Sequence, residues 1–309
     1  MGVVVGRKHE AGGSALLRIV FVAFFLLAGC AGEPEAASPP DPIRVLMITG
    51  ADGHPWEANK EIMKDHLGAW DAFEVDEKIV GGPEAWLEWE GDYGDYDVVA
   101  VMYYQPTAAE AALEALDAWV RGGGGLVAIH SGVAGFDDQE IFDRMVGMGW
   151  RGAGYGRSLM IAPEGEQIVR EPGEGGGAAH PRVQEFPVTV IDDTHPITAR
   201  LPEPVWMQTE DELYYNLRGP VEGMRVLAVA NRDVPSGEYA PQLWVRDHGE
   251  GRVFVTTLGH FERSVDSVGF MTTLALGLEW AATGQATLPI PVNFPDADQS
   301  RSGRPQFDP

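Results

Sequence analysis

Residues 107–131 read TAAEAALEALDAWVRGGGGLVAIHS and predict a helix, a glycine turn and a buried strand in direct succession. Thr107 is followed three residues later by Glu110, the capping-box pattern that opens a helix, predicted here over 108–120. The glycines at 122–125 end that helix and lead into the apolar strand 126–130. Because no Gly-Lys-Ser/Thr follows these glycines, they are a turn and not a phosphate cradle.

The same alternation of short apolar runs and amphipathic stretches extends to both sides of this segment. It predicts a parallel sheet with helices on both faces. The later strands are closely spaced, and we expect them to be antiparallel additions to the parallel core. The predicted strands are 43–49, 73–80, 96–102, 187–191, 225–230, 242–246 and 252–258, and further helices are predicted at 57–67 and 270–282. The glycine-rich section 147–185 predicts long loops with one strand at 158–161.

The first thirty residues have the features of an export signal. Arg7 and Lys8 precede the apolar run 19–28, which is too short to span about 30 Å of hydrocarbon as a helix. The run ends in Leu-Ala-Gly-Cys at 27–30, the pattern of a lipoprotein cleavage site, and Cys30 is the only cysteine. We therefore expect a lipoprotein signal peptide at 1–29 and lipid on Cys30. The alternatives are an uncleaved anchor and an ordinary signal peptide beside an unrelated cysteine.

These features predict a protein of the cell envelope with three further segments. Residues 30–41 form a lipid-anchored tether, 42–284 form the folded domain, and 285–309 form a proline-rich C-terminal tail, expected to be loosely held. Ala31 follows the cysteine in place of the aspartate that commonly retains lipoproteins at the inner membrane. In a Gram-negative cell the outer membrane is the expected destination.

The charge of the chain excludes two classes of partner. With 22 Lys and Arg against 47 Asp and Glu, the formal net charge is −25. Such a surface repels nucleic acid and anionic lipid head groups. We expect no nucleic-acid partner, and contact with the membrane only through the N-terminal lipid.

Three histidines occupy equivalent places in the predicted sheet. His54 follows the first strand, His130 ends the strand 126–130, and His260 follows the strand 252–258. The carboxyl ends of parallel strands line the ligand crevice of such sheets. Each histidine alone is explained by a loop backbone that it satisfies, but the three together predict a shared site.

Further candidates lie close to these histidines in the predicted scheme. Trp56 and Tyr214 have flat faces that stack on sugars, although a buried aromatic is the structural alternative. Asp211 and Glu212 could orient a histidine or bind sugar hydroxyls, or they belong to a solvated acidic face. His180, in the irregular section, contributes to the pocket or organises a turn.

The order of motifs along residues 43–283 resembles the ThuA-like (trehalose utilisation) family. The motifs that carry the resemblance are Gly53-His54-x-Trp56, the strand 124–131 ending in His130-Ser131, Gly149-Trp150-Arg151, Tyr155-Gly156, His180, Glu185-Phe186, Thr194-His195-Pro-Ile-Thr198, Asp211-Glu212-Leu-Tyr214, Gln242-Leu-Trp244 and the strand 251–260 ending in Gly259-His260. The stretch 160–177 departs from the family pattern because it is expanded and rich in glycine and glutamate.

The resemblance implies a flavodoxin-like sheet similar to class I glutamine amidotransferases. Those enzymes carry a cysteine at the turn where this chain has His130-Ser131, and the only cysteine here is the lipid site, so amidotransferase chemistry is excluded. Ser131 stands near a nucleophile elbow, but Ile129 and Val133 occupy the glycine positions of that motif. We assign Ser131 to substrate binding.

The resemblance also implies a small-molecule carbohydrate as ligand and a function in the metabolism of trehalose-type disaccharides or 3-keto-glycosides. We expect a hydrolase, lyase or isomerase with His54, His130, His260 and Glu212 as catalytic residues and with Trp56, Ser131, His180, Asp211 and Tyr214 binding substrate. Acid–base catalysis by the histidines and a divalent metal held by them both remain open at this stage. The alternative of a different class is a non-catalytic carbohydrate-binding lipoprotein.

Overall fold

The computed structural model of the chain describes residues 41–50, 53–81, 92–104, 110–136 and 140–308. The predicted signal peptide, Cys30, most of the tether and the capping residue Thr107 lie outside the described residues. Within those ranges, no helix is long and apolar enough to cross a membrane.

Twelve strands and five α-helices are present in the described part of the chain. The strands are β1 Ile43–Gly50, β2 Phe73–Val80, β3 Val98–Met102, β4 Gly125–Ile129, β5 Arg157–Ile161, β6 Gln167–Arg170, β7 Gln184–Val190, β8 Val205–Asp211, β9 Arg218–Gly219, β10 Arg225–Ala230, β11 Ala240–His248 and β12 Gly251–Thr256. The helices are α1 Trp56–Leu67, α2 Glu110–Arg121, α3 Glu140–Val146, α4 Glu262–Val265 and α5 Val268–Thr283.

Nine of these strands form one large sheet in the order β2-β1-β3-β4-β12-β11-β10-β7-β8. The five strands from β2 to β12 pair in parallel. All of them except the edge strand β2 have the apolar centres expected of strands covered on both faces. The remaining four pair antiparallel, which confirms that the closely spaced later strands extend a parallel core. In this arrangement β8 runs in the same direction as the parallel strands, so its carboxyl end faces the same edge.

Helices cover both faces of the sheet, each with a core of its own. On one face, Met63 of α1 and Leu274 of α5 belong to a fully buried apolar cluster. On the other, Leu113 and Leu116 of α2 pack in a second cluster together with Phe142 of α3. These residues recur at helical spacing, and the mixed α/β, flavodoxin-like fold class predicted from the sequence is confirmed.

The glycine-rich section contains more regular structure than the sequence predicts. Besides β5, it forms β6, and both join β9 in a separate three-stranded sheet of order β6-β5-β9. The fully buried guanidinium of Arg218 donates to the carbonyl oxygens of Gly156, Glu171, Glu174 and Gly176. One side chain thereby holds several turns of this section together. The low periodicity of apolar residues in the section does not predict these contacts.

The C-terminal tail is packed and not loosely held. The Trp70 indole donates to the Pro289 carbonyl at 2.8 Å, and the Trp70 ring lies 5.3 Å from that of Phe307. Backbone bonds join Val268 to Arg301 and Gly303 to Asp266. Proline content predicts irregular backbone correctly, but these tertiary contacts with Trp70, just after α1, and with the start of α5 order it.

Candidate functional site

Three histidines meet at the carboxyl edge of the parallel strands, as the sequence predicts. The rings of His54, His130 and His260 form a triangle with centroid separations of 5.1, 5.1 and 5.2 Å. Nitrogen atoms of all three lie within 4.8 Å of one another. We call these three residues the histidine cluster.

His130 occupies the sharp turn where β4 ends. Its φ of +42° lies in the left-handed region, which is costly for a residue with a Cβ and is found preferentially at functional positions. The turn also needs a small residue, because a Cβ on Gly132 would lie 2.2 Å from the Val101 carbonyl oxygen. His130 Nδ1 lies 2.8 Å from the Thr257 carbonyl oxygen, so Nδ1 carries the proton and Nε2 faces the cluster as an acceptor.

Glu212 connects the cluster to His180. One carboxylate oxygen, Oε2, lies 3.2 Å from His260 Nδ1 and 3.7 Å from His130 Nε2. The other, Oε1, lies 3.3 Å from His180 Nε2. Glu212 and the half-exposed His180 therefore belong to the site, where the sequence analysis expects them.

Asp211 is fully buried and supports the site through hydrogen bonds. Its carboxylate accepts hydrogen bonds from the backbone N–H groups of Gly259 at 2.9 Å and His260 at 3.1 Å, and from Gln208 Nε2 at 3.0 Å. These hydrogen bonds position the His260 loop, and the predicted role of Asp211 in substrate binding stays a prediction.

Burial changes the pKa values of the ionisable groups here. It lowers the pKa of His130 well below the usual value, and the charges of His54 and His260 lower it further, so His130 is neutral at pH 7. It raises the pKa of Asp211 to about 6, against the hydrogen bonds that lower it. Burial likewise raises the pKa of Glu212, against the opposing charges of His180 and His54.

Tyr214 contributes a hydroxyl and not a stacking face. The Tyr214 hydroxyl oxygen lies 2.9 Å from His130 Nε2, and the residue is only 4 % exposed. Its ring instead packs against Trp150, at a centroid distance of 4.6 Å, and Trp150 also lies 5.8 Å from the His180 ring. Trp150 was not among the predicted site residues, although the Gly149-Trp150-Arg151 motif was a signal for it.

Two further predicted residues lie beside the cluster in different environments. Ser131 is fully buried in the short turn after β4, and its predicted role in substrate binding stays a prediction. Trp56 is the first residue of α1 and is partly exposed, two residues from His54. Trp56 makes no close ring contact with another described residue. Its predicted role of stacking on a ligand stays a prediction.

The donor set has the spacing and chemistry of a divalent metal site. Zinc–nitrogen bonds of about 2.0–2.1 Å put two tetrahedral ligand atoms about 3.3 Å apart. His130 Nε2 and His260 Nδ1 are 3.1 Å apart, and Glu212 Oε2 lies 3.2 Å from the latter. The Thr257 carbonyl fixes the His130 tautomer, as partners of metal-bound histidines do. The residues present therefore fit a metal ion.

Comparison with known proteins agrees with this architecture. The sequence model of the ThuA family, described as trehalose utilisation, matches residues 44–281. A ThuA-like protein from Parabacteroides merdae superposes with a TM-score of 0.78 at 28 % identity, covering 85 % of this chain and 98 % of that one. One from Bacteroides uniformis has a TM-score of 0.52 at 16 % identity, with 82 % and 98 % covered. A search of curated proteins finds no match to the chain.

Proposed function

The chain belongs to the ThuA family of trehalose utilisation, and from this membership we propose that it is an enzyme acting on a sugar or keto-sugar at the histidine cluster. The observation that carries the proposal is the convergence of three histidines and Glu212 at the carboxyl ends of the parallel strands. The family supports a sugar-related function. The cluster supports catalysis, because imidazole nitrogens beside a carboxylate can transfer protons or bind a metal ion.

We propose further that the cluster holds a divalent metal ion. His54, His130 and His260 supply imidazole nitrogens, and Glu212 supplies a carboxylate oxygen at ligand spacing. Bound there, the ion would polarise a carbonyl or hydroxyl oxygen of the sugar. Acid–base catalysis by the same histidines without a metal is the second candidate, favoured by the Tyr214 hydroxyl that already lies against His130 Nε2.

The chain's own groups supply the proton transfers in either case. Glu212 Oε1, on the side of His180, can accept a proton from the carbon or hydroxyl beside the sugar carbonyl. The Tyr214 hydroxyl can donate to an oxygen that gains charge on the opposite side. Base and acid on two sides of one carbon are what enolisation next to a ketone requires.

The place of action in this proposal is the cell envelope. The Leu-Ala-Gly-Cys sequence at 27–30 supports lipidation at Cys30, and the segment up to residue 41 then serves as the tether to the folded domain. Labelling of the expressed protein with a fatty-acid analogue tests this directly. Incorporation that is lost in Cys30→Ala supports the anchor, and labelling retained in that variant contradicts it.

Turnover of a panel of disaccharides and their 3-keto forms tests the enzymatic proposal. We expect His130→Ala to lower kcat/KM about 100- to 10,000-fold, because it removes a ligand of the proposed metal ion or, without a metal, an acid–base group. His248→Asn is the control, since this histidine bonds Asp117 elsewhere in the fold, and it is expected to leave turnover unchanged.

Two results would contradict the proposal. Full turnover in His54→Ala, His130→Ala and His260→Ala, tested singly, would move catalysis away from the cluster. Sugar binding by the wild-type protein with no product from any member of the panel would identify it as the non-catalytic carbohydrate-binding protein of the alternative hypothesis.

A further inference from the structure

A cavity of about 610 Å³ opens at the end of the antiparallel half of the large sheet. We propose that it is a binding site for a small molecule with an oxyanion group, a carboxylate or a phosphate. It is separate from the histidine cluster, none of whose three residues is part of its wall, and its ligand would bind whether or not the cluster is catalytic. The charged residues of the wall are Arg182, Glu185, Glu210, Arg232 and Arg263.

The topology of the sheet brings the segments of this wall together. β10 and β8 run in the direction of the parallel strands, and β7 lies between them in the opposite direction. Arg232 follows the end of β10, Glu210 lies near the end of β8, and β7 starts at Gln184, so all three lie at the carboxyl edge. Arg263 of α4 and Ser300 of the C-terminal tail complete the wall. Open α/β sheets bind their ligands at this edge.

The wall has an excess of positive charge, although the chain is strongly acidic. Three of its ten described residues are arginines and two are glutamates. In the whole chain, 22 Lys and Arg stand against 47 Asp and Glu. Another cavity, of about 480 Å³, has the opposite balance, with two arginines and the four acidic residues Glu140, Asp143, Glu171 and Glu222. A local excess of arginine on such a surface favours an anionic ligand.

Both carboxylates of the wall already have donors from the protein. Glu210 forms an ion pair with Arg263. Glu185 Oε1 accepts a hydrogen bond from the Ser300 hydroxyl at 2.6 Å. Because the Glu210 pair is internally neutral, the remaining balance in the wall is two arginines against one glutamate.

These two arginines are available to hold a ligand. Arg232 is exposed and forms no hydrogen bond or ion pair with another described residue. Arg182 Nε lies 3.7 Å from Asp233 Oδ2, an oxygen that also accepts a hydrogen bond from Gln184 Nε2 at 2.9 Å. An exposed pair of this length contributes little to stability, so Arg182 can exchange it for a ligand. The guanidinium group has the paired N–H geometry that a carboxylate or a phosphate accepts.

The C-terminal tail forms one side of the cavity. Ser300 and Ser302 both line it, and the backbone of Ser302 forms a bridge with that of Ser267, just before α5. The Ser302 hydroxyl can donate to a second oxygen of a ligand that an arginine already holds. The volume of about 610 Å³ lies within the range of about 300–1,000 Å³ that small-molecule sites occupy. The tail therefore contributes donors to the proposed site.

Titration calorimetry with inorganic phosphate and with succinate tests the site, and glycerol is the uncharged probe. The protein is first stripped of metal ions by dialysis against a chelator, so that neither anion can bind a metal ion at the histidine cluster. We expect the wild type to bind at least one of the two anions and not to bind glycerol. A preference for phosphate or for succinate then identifies the oxyanion that the site takes.

Two substitutions in the wall are expected to act in opposite directions. Arg232→Gln lowers the affinity for the anion about 3- to 10-fold, because it removes a charged donor. Glu210→Gln raises the affinity, because it removes a negative charge and releases Arg263. Arg144→Gln is the matched control, since it removes the same charge from an exposed arginine in the wall of the other cavity, and it leaves the affinity unchanged.

Several results would overturn this site. One is the absence of binding by either anion, and another is an equal affinity in the wild type and Arg232→Gln. Equal losses in Arg232→Gln and Arg144→Gln would reduce the effect to net charge. Anion binding that is lost in His130→Ala but retained in Arg232→Gln would place the anion at the histidine cluster. Arg232 and Arg144 are both exposed, so we expect both variants to fold as the wild type does.

Discussion

The two edges of the large sheet both carry histidines, but in opposite circumstances. At the carboxyl edge, His130 and His260 direct ring nitrogens at each other, 3.1 Å apart, and share Glu212. At the opposite edge, His248 has a carboxylate of its own, with Nε2 2.7 Å from Asp117 Oδ1, and His195 is buried against the Trp280 ring at 4.9 Å. Histidines that each have a carboxylate or aromatic partner of their own stabilise the fold. Histidines that share one carboxylate need a ligand or a proton between their ring nitrogens.

The matched aspartates behind the two sets of histidines give the largest expected difference. Asp211→Asn replaces one carboxylate oxygen with an amide NH₂, which faces the backbone N–H of either Gly259 or His260, since these donate to different oxygens. Two hydrogen-bond donors that face each other repel, which displaces the His260 loop. We therefore expect metal affinity and turnover to fall about 10- to 100-fold, as for other changes to residues that support metal ligands.

Asp117→Asn is its counterpart at the other edge. We expect it to leave metal affinity and turnover unchanged and to cost about 1 kcal/mol in the free energy of unfolding, because only the His248 contact and the neighbouring Arg121 pair weaken. Zinc titration and urea unfolding of both variants separate the two effects. Equal losses of zinc affinity in the two variants would contradict the distinction between a metal-binding set of histidines at one end of the strands and a structural set at the other.

His195, at the end of the sheet opposite the histidine cluster, is expected to make the stability of the fold sensitive to acid. Burial and the charge of Arg225 lower the pKa of His195 to about 4, below the unfolded value of about 6.5. As the pH falls from about 6.5 to 4, the unfolded chain binds a proton that the folded protein does not. The stability that is complete above pH 6.5 is therefore progressively lost, by up to about 3 kcal/mol from this group.

His195→Asn removes that term. Asn keeps an acceptor for the Ile197 N–H, and we expect the free energy of unfolding of the variant to fall less steeply with decreasing pH than that of the wild type. Urea denaturation between pH 7 and pH 4.5 measures the difference, with turnover at pH 7 unaffected. Parallel pH profiles for the two proteins would mean that His195 does not resist protonation.

The sequence predicts the parallel half and the histidine cluster for one physical reason. Local apolar runs fix the strands, and the position of His54, His130 or His260 relative to a strand end fixes the edge at which it lies. What the sequence does not reveal depends on distant partners. The strand β8 carries polar residues and exists because it pairs with β7, and the tail is ordered by contacts such as that of Phe307 with Trp70.

The same distinction holds within the site. Glu212 can be predicted beside the histidines from its motif, but its neighbour Asp211 is buried because the His260 loop folds onto it. Trp150 follows no strand of the predicted scheme, and only the packing of the glycine-rich section brings it to Tyr214. Residues whose role depends on contacts with parts of the chain that are distant in sequence are the ones that a local pattern assigns wrongly or misses.

The central claim is that the histidine cluster, and not the histidines elsewhere, forms a metal site. The most direct test is metal content by mass spectrometry after loading with zinc or manganese and removal of excess ion, for the wild type, the His54/His130/His260 triple alanine variant and a His195/His248 double alanine variant. We predict close to one ion per chain in the wild type and the double variant and a loss of that ion in the triple variant. Equal metal content in all three proteins, or none in any, would contradict the claim.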